Sequence, residues 1–256
     1  MVGPNQNTEP TTGRLVIIDA NVRTARIAHT LGYHTVFVQR PGTAVHELVD
    51  DFSGYYTVDF TGEEFTGFVA EVLRPLGPTA VVSLSDDGVL PAAVASSLLG
   101  TPGTPVDVVH RLTSAPSDDT DQADGGAPEQ YAYTFSEAGS HRWVALVDEG
   151  GSPSSPDHVA PERRLPPAEH SAVETALTGF LDAAGLRNGP ARVTLRIRDG
   201  VPRITGATPT AGTDDEAELV RRLTGVDLTH AALARALGLA AGHDTSPVRA
   251  QEGATR

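Results

Sequence analysis

The stretch GPARVTLRIRDGVPRITGATPT, Gly189–Thr210, decides how this chain is read. Two runs, Ala191–Ile197 and Pro202–Thr208, flank Asp199-Gly200, a dipeptide that accepts the left-handed backbone of a tight turn, so a β-hairpin is expected. Period-two alternation puts Val193, Leu195 and Ile197 on one face of the first strand. Arg192, Thr194, Arg196 and Arg198 fall on the other, so one face is apolar and the other is rich in arginine.

Working outward, Pro167–Ala184 reads as an amphipathic helix with proline in its first turn and Gly185 past its end. Tyr131–Glu137 and Arg142–Asp148 read as strands joined by a turn at Ala138–Ser140, and Glu216–Leu223 and Leu228–Leu237 as closing helices. This half is α+β with antiparallel strands. The other half alternates: strands at Arg14–Asp19, His34–Arg40, Tyr55–Phe60 and Thr79–Ser85, and helices at Val22–Leu31, Glu63–Leu73 and Asp87–Leu99. Pro75, Gly77 and Pro78 are expected to break the second helix, and Gly32 and Gly100 to close the others. Such alternation predicts an α/β, Rossmann-like parallel sheet. The expected organisation is a disordered tail at 1–13, the Rossmann-like domain at 14–112, an acidic linker at 113–130, the α+β core at 131–240 and a tail at 241–256. Residues 150–161 read as a further loop.

Composition narrows the function. All 19 basic residues are arginine and none is lysine. A P-loop and a Schiff-base amine both require lysine, so both are excluded, although a GC-rich genome alone produces the same bias. The net charge of −14 argues against nucleic-acid or anionic-membrane partners. Without cysteine there are no disulfides, thiol nucleophiles or Cys-ligated metals. The polar start, MVGPNQNTEPTTG, has no signal-peptide h-region, and no run reaches the ~18 apolar residues of a membrane span, so a cytoplasmic protein is expected. GxGxxG, GxSxG and HExxH are all missing, the nine histidines are scattered, and the calcium-loop likeness of Asp119–Gly125 fails at Ala123 and Gln130.

Several segments, in order, resemble the ATP-grasp carboxylate–amine ligases, and within them the amino-acid and peptide ligases of bacterial natural-product pathways. VIIDAN (16–21) with RTARIAHTLGY (23–33) is similar to the family's opening strand, turn and helix. TAVVSLSDDGVLPAAVASSLLGTPGTPVDVVHR (79–111) resembles its fourth strand and helix exit, residues 157–209 its C-terminal core, and LVRRLTGVDLTHAALARALG (219–238) its closing helices. The resemblance implies a pre-ATP-grasp domain followed by an ATP-grasp core. It also implies a lid between them that carries two lysines, where this chain has only the acidic linker.

In the family the hairpin reads G-P-x-H-x-E and then P-R-x-x-E-x-N-x-R. Its two glutamates and asparagine hold magnesium against the ATP phosphates, and its arginine stabilises the acyl phosphate. Here Arg192 and Thr194 fill the histidine and first glutamate slots, and Gly206, Thr208 and Thr210 the second glutamate, asparagine and arginine slots. Magnesium is held by carboxylates and substrate phosphates, so Thr194, Gly206 and Thr208 mark degenerate metal positions and no cofactor is expected. His158 resembles the family histidine of a G-H-x-x-P-A segment, with Asp157 and Glu162 replacing glycine and alanine.

The expectation is a truncated, lid-less ATP-grasp-like protein without ATP-dependent ligation. It would act as an accessory subunit, as a homodimer or paired with an intact ligase. Two alternatives stay open: an ATP-independent enzyme or binder of a small carboxylated metabolite, and a ligase subunit whose lid comes in trans. Ligands sit beyond the carboxyl ends of parallel strands, which nominates Asn21, Arg23, Ser85, Asp86 and Asp87 for binding, although Asn21 or Asp87 can equally cap a helix. Arg192 and Arg196 are the anion-binding candidates on the hairpin, unless they merely pair with the chain's own carboxylates. His158, Arg192 and Asp86 are the candidates for any surviving catalysis.

Overall fold

A computed structural model describes residues 11–43, 54–114, 128–148 and 165–239. The first ten residues, most of the acidic linker, the 150–161 loop with His158 and the C-terminal tail lie outside the described residues. The chain forms two compact units that divide between Val106 and Asp107, residues 236–238 going with the first.

In the first unit, β1 (Thr11–Ile18), β2 (Tyr33–Gln39), β3 (Gly54–Thr57) and β4 (Ala80–Val82) form a sheet of order β3-β2-β1-β4, every pair parallel. Leu15, Val16, Ile17 and Ile18 are fully buried, so both faces of β1 are covered, which is why its sequence is continuously apolar instead of alternating. Val16, Ile18, Val36 and Val38 pack with Phe65, Val69, Leu73, Ala92 and Ala95, and each fully buried aliphatic side chain stabilises by roughly 1.5–3 kcal/mol. The helices are α1 (Val22–Thr30), α2 (Phe65–Phe68), α3 (Arg74–Leu76) and α4 (Val89–Leu99).

Two expectations fail here. Pro75 does not end the second helix, which continues through a π-helical turn, Val69–Leu73, into α3 and stops at Gly77 with φ +60°. The wide turn, closed by Arg74 N–H to the Val69 carbonyl, gives the proline ring the room a regular α-helix denies it. The strand expected at Thr79–Ser85 is extended only over Ala80–Val82. Beyond it the Ser85 amide donates to the Ser83 hydroxyl (3.2 Å), which folds the chain into a turn.

The second unit holds α5 (Val106–Thr113), β5 (Gln130–Glu137), β6 (Ser140–Asp148), α6 (Pro167–Ala184), β7 (Gly189–Arg198), β8 (Val201–Thr208), α7 (Asp214–Thr224) and α8 (Leu228–Ala236). Its sheet is antiparallel, of order β6-β5-β7-β8. The β7–β8 turn has Asp199 at φ +52° and Gly200 at φ +77°, the pair of positive angles that the Asp-Gly signal demands. Ala132, Leu146, Ala191, Val193, Leu195 and Ala207 form the apolar face, covered by Val173, Leu177 and Leu181 of α6. Val108 and Leu112 join that core, so α5, a helix the sequence reading did not separate from the exit of the first half, packs on the second unit.

Candidate functional site

The carboxyl edge of the parallel sheet brings part of the nominated set together. Asp19, directly after β1, has φ +55°, uncommon for a residue with a side chain. Its Oδ2 accepts a hydrogen bond from Ser85 Oγ at 2.6 Å, and Ser85 Oγ in turn accepts from Gly88 N–H at 2.9 Å. A Cβ at Gly88 would collide with the Ser83 and Ser85 hydroxyls, so only glycine lets the turn close on them. Asn21 is the N-cap of α1, its side-chain oxygen accepting from Thr24 N–H at 2.7 Å.

Asp87 does not cap α4. It accepts from Arg40 Nη2 at 2.7 Å, while the Ser85 hydroxyl takes up the amide at the helix start. The Arg40 guanidinium also lies 4.8 Å from the Phe60 ring centroid, and the Asp87 hydrogen bond, with the charges of Asp87, Asp19 and Asp59, raises its pKa. Asp86 is exposed on the turn and Arg23 sits half-buried at the start of α1. Asp19 and Arg40 were not nominated, although both stand at the ends of predicted strands where the same rule applies.

The polar face of the second sheet carries a different cluster. Arg192 of β7 lies between Tyr133 of β5 and Thr208 of β8, and one step along, Thr194 lies between Tyr131 and Gly206. Arg192 Nη1 donates to Glu216 Oε2 at 2.9 Å and to Oε1 at 3.3 Å, with both side chains largely buried. The Tyr133 phenol donates to the same carboxylate, and burial followed by the Glu216 charge drives its pKa strongly upward. Arg196 donates to Glu129 at 2.8 Å. Both arginines nominated for anion binding therefore have carboxylate partners within the chain. The sequence places Glu216 at the start of a closing helix. Thr213-x-x-Glu216 is in fact a capping box, and that signal was present in the sequence, whereas the pairing with Arg192 was not.

These positions do not fit magnesium. Thr194 and Gly206 face each other in the ladder and Thr208 sits in the next row, so the three supply the hydroxyls of Thr194 and Thr208 and no carboxylate. Glu216, the carboxylate of this cluster, is engaged by Arg192, Tyr133 and the Thr213 amide. Among the described residues no group of three or more His, Asp or Glu side chains could hold a metal ion.

A third constellation has the residue types of a hydrolase triad. Ser136 Oγ is 2.7 Å from His141 Nδ1, and His141 Nε2 is 3.3 Å from Asp182 Oδ1. Ser136 is fully buried, so no carbonyl reaches its hydroxyl, and the chain of hydrogen bonds ties the β5–β6 hairpin to the last turn of α6.

No protein-family model matches the chain, and no curated protein sequence does. Solved structures do. The L-amino acid ligase from Bacillus licheniformis superposes with a TM-score of 0.70 at 18% identity, over 88% of this chain and 74% of that one. Phosphoribosylglycinamide synthetase from Anaerococcus prevotii gives 0.69 at 14% identity, over 89% and 75%. The biotin carboxylase domain dimer of Hydrogenobacter thermophilus 2-oxoglutarate carboxylase, in complex with MgADP, ADP and bicarbonate, gives 0.64 at 12% identity, over 90% and 70%. No helix among the described residues is long and apolar enough to cross a membrane. With its mixed parallel and antiparallel sheets, the chain shares its fold with these ligase, synthetase and carboxylase structures.

Proposed function

We propose that the chain is a lid-less, catalytically degenerate ATP-grasp-like protein that carries out no Mg-ATP-dependent ligation. Its role in this reading is that of an accessory subunit, as a homodimer or beside an intact ligase, in a bacterial natural-product or amino-acid-ligase pathway. The first unit is then a Rossmann-like pre-ATP-grasp domain and the second the remnant of the catalytic core. The observation that carries the reading is the Thr194–Gly206 pair, with Thr208 beside it, in the ladder positions where carboxylates would hold the metal. Without metal, lysines or the family's arginine, and with Arg192 engaged by Glu216, charge building on a transferring phosphoryl group lacks the counter-charges that ligation uses.

Two further facts support it. Only residues 114–129 separate the end of α5 from the start of β5, too short a span for a lid subdomain. The Bacillus licheniformis neighbour is an L-amino acid ligase, and the Hydrogenobacter thermophilus neighbour is a dimer. Isothermal titration of the protein with Mg-ATP is expected to give no binding heat, and micromolar affinity would overturn the reading. Co-expression with an intact L-amino acid ligase, followed by size-exclusion chromatography, tests the accessory role. A protein that elutes as a monomer and retains none of the ligase has no such role.

A further inference from the structure

Three segments of the second unit converge on one carboxylate. Glu216 Oε2 accepts from Arg192 Nη1 of β7 at 2.9 Å and from the Thr213 amide at 2.6 Å, and the Tyr133 phenol of β5 donates to the same group. The loop between β8 and α7 is moulded around it. Gly212 has φ +84°, and a Cβ there would lie 2.6 Å from Glu216 Oε2 and 3.2 Å from the Tyr133 ring. Thr210, fully buried in the same loop, pairs its hydroxyl with Thr208 Oγ1 at 3.1 Å, and the Arg192 guanidinium lies 5.8 Å from the centre of the Tyr131 ring.

We infer that Arg192, Tyr133 and the Thr213 amide form a receptor for a single carboxylate, filled in cis by Glu216, which a small external monocarboxylate occupies when the Glu216 side chain is removed. The carboxylate of Glu216 meets donors from three sides, so removing it leaves a place whose charge and hydrogen-bonding favour an anion. Two of the donors stand on backbone that does not depend on the occupant, since Tyr133 and Arg192 are adjacent in the sheet ladder, and the third, Thr213, is the N-cap of α7. Shape sets the choice of anion. Truncating glutamate beyond Cβ deletes the atoms of an acetate ion, so acetate fits where a tetrahedral phosphate does not. This face would therefore recognise a carboxylate directly, with arginine supplying the positive charge and no metal required.

The test is thermal melting of Glu216→Ala in rising sodium acetate, with chloride matching the ionic strength. The variant is expected to melt below the unaltered protein and to regain several degrees as acetate increases, along the slope of mass-action binding. The unaltered protein and Glu216→Gln, whose amide still fills the site, should not respond, nor should Glu216→Ala/Arg192→Leu, which has lost the guanidinium. If Glu216→Ala does not fold unaided, refolding in acetate but not in chloride supports the receptor. Recovery in neither overturns it, as does equal stabilisation with and without Arg192. These outcomes do not depend on Mg-ATP titration of the unaltered protein, so the receptor and the proposed loss of ligase activity fail separately.

Discussion

Thr194 and Gly206 stand directly opposite each other across the β7–β8 ladder, and a Cβ added to Gly206 would lie 3.8 Å from Thr194 Oγ1, an ordinary contact distance. In the proposed reading this pair stands where two glutamates would face one cation, and neither residue carries charge.

Thr194→Glu/Gly206→Glu should therefore fold and acquire affinity for Mg2+ or Mn2+. Without metal, the opposed like charges are expected to cost up to about 1 kcal/mol. A cation at about a hundred times its Kd should add roughly 2.7 kcal/mol. Melting curves with metal and with chelator read both, and a double variant indifferent to metal would show that the ladder no longer presents a metal site.

Arg192→Leu leaves Glu216 buried without its guanidinium, and a broken buried pair costs about 3–5 kcal/mol. Arg192→Leu/Glu216→Leu removes both charges and should recover most of the loss, short of the roughly 1 kcal/mol of helix capping that Glu216 provides. Urea denaturation of the two variants gives the comparison.

Tyr133 holds its proton far above the ordinary tyrosine range because it is buried and faces Glu216. The unfolded chain loses this proton near pH 10 and the folded protein does not, so the stabilisation is complete below about pH 10 and declines above it. Stability should fall by up to about 1.4 kcal/mol per pH unit from this group, and Tyr133→Phe should remove that component. Spectroscopic titration of the five tyrosines should also find one that fails to ionise while the protein stays folded.

Gly212→Ala and Gly100→Ala separate conformational strain from steric exclusion. Both glycines have positive φ, +84° and +69°, but a Cβ at Gly100 meets nothing within 4 Å, whereas at Gly212 it meets Glu216 and Tyr133. Gly100→Ala should cost about 1–2 kcal/mol, and Gly212→Ala clearly more, read from chemical denaturation.

Ser85→Ala removes the donor to Asp19 and the acceptor for Gly88 N–H, leaving partly buried polar groups unpaired at a cost of about 1–3 kcal/mol. Asp87→Ala breaks the Arg40 pair, whose side chains are 40% and 68% exposed, and should cost about 1 kcal/mol or less. Equal losses in the two variants would mean that the hydroxyl does not organise this turn.

The amino-acid sequence by itself determined most of the element order and the chemistry of the hairpin. Strand alternation and the Asp199-Gly200 turn are local properties, so the facing of Val193 and Arg192 to opposite sides followed from spacing alone, and with it the lack of a carboxylate at 194, 206 and 208. Pro75 misled because a local rule met a local exception, the π turn beside it.

Only the tertiary structure decided which charges meet. Arg192 finds Glu216 across 24 residues of chain and Arg40 finds Asp87 across 47, and α5 turns Val108 and Leu112 to the core of the second unit. In a chain with many carboxylates, pattern marks which face an arginine occupies, but packing selects its partner. The nominated anion-binding arginine thus became the donor of an internal ion pair, because strand register and the loop at Gly212 bring one particular glutamate to it.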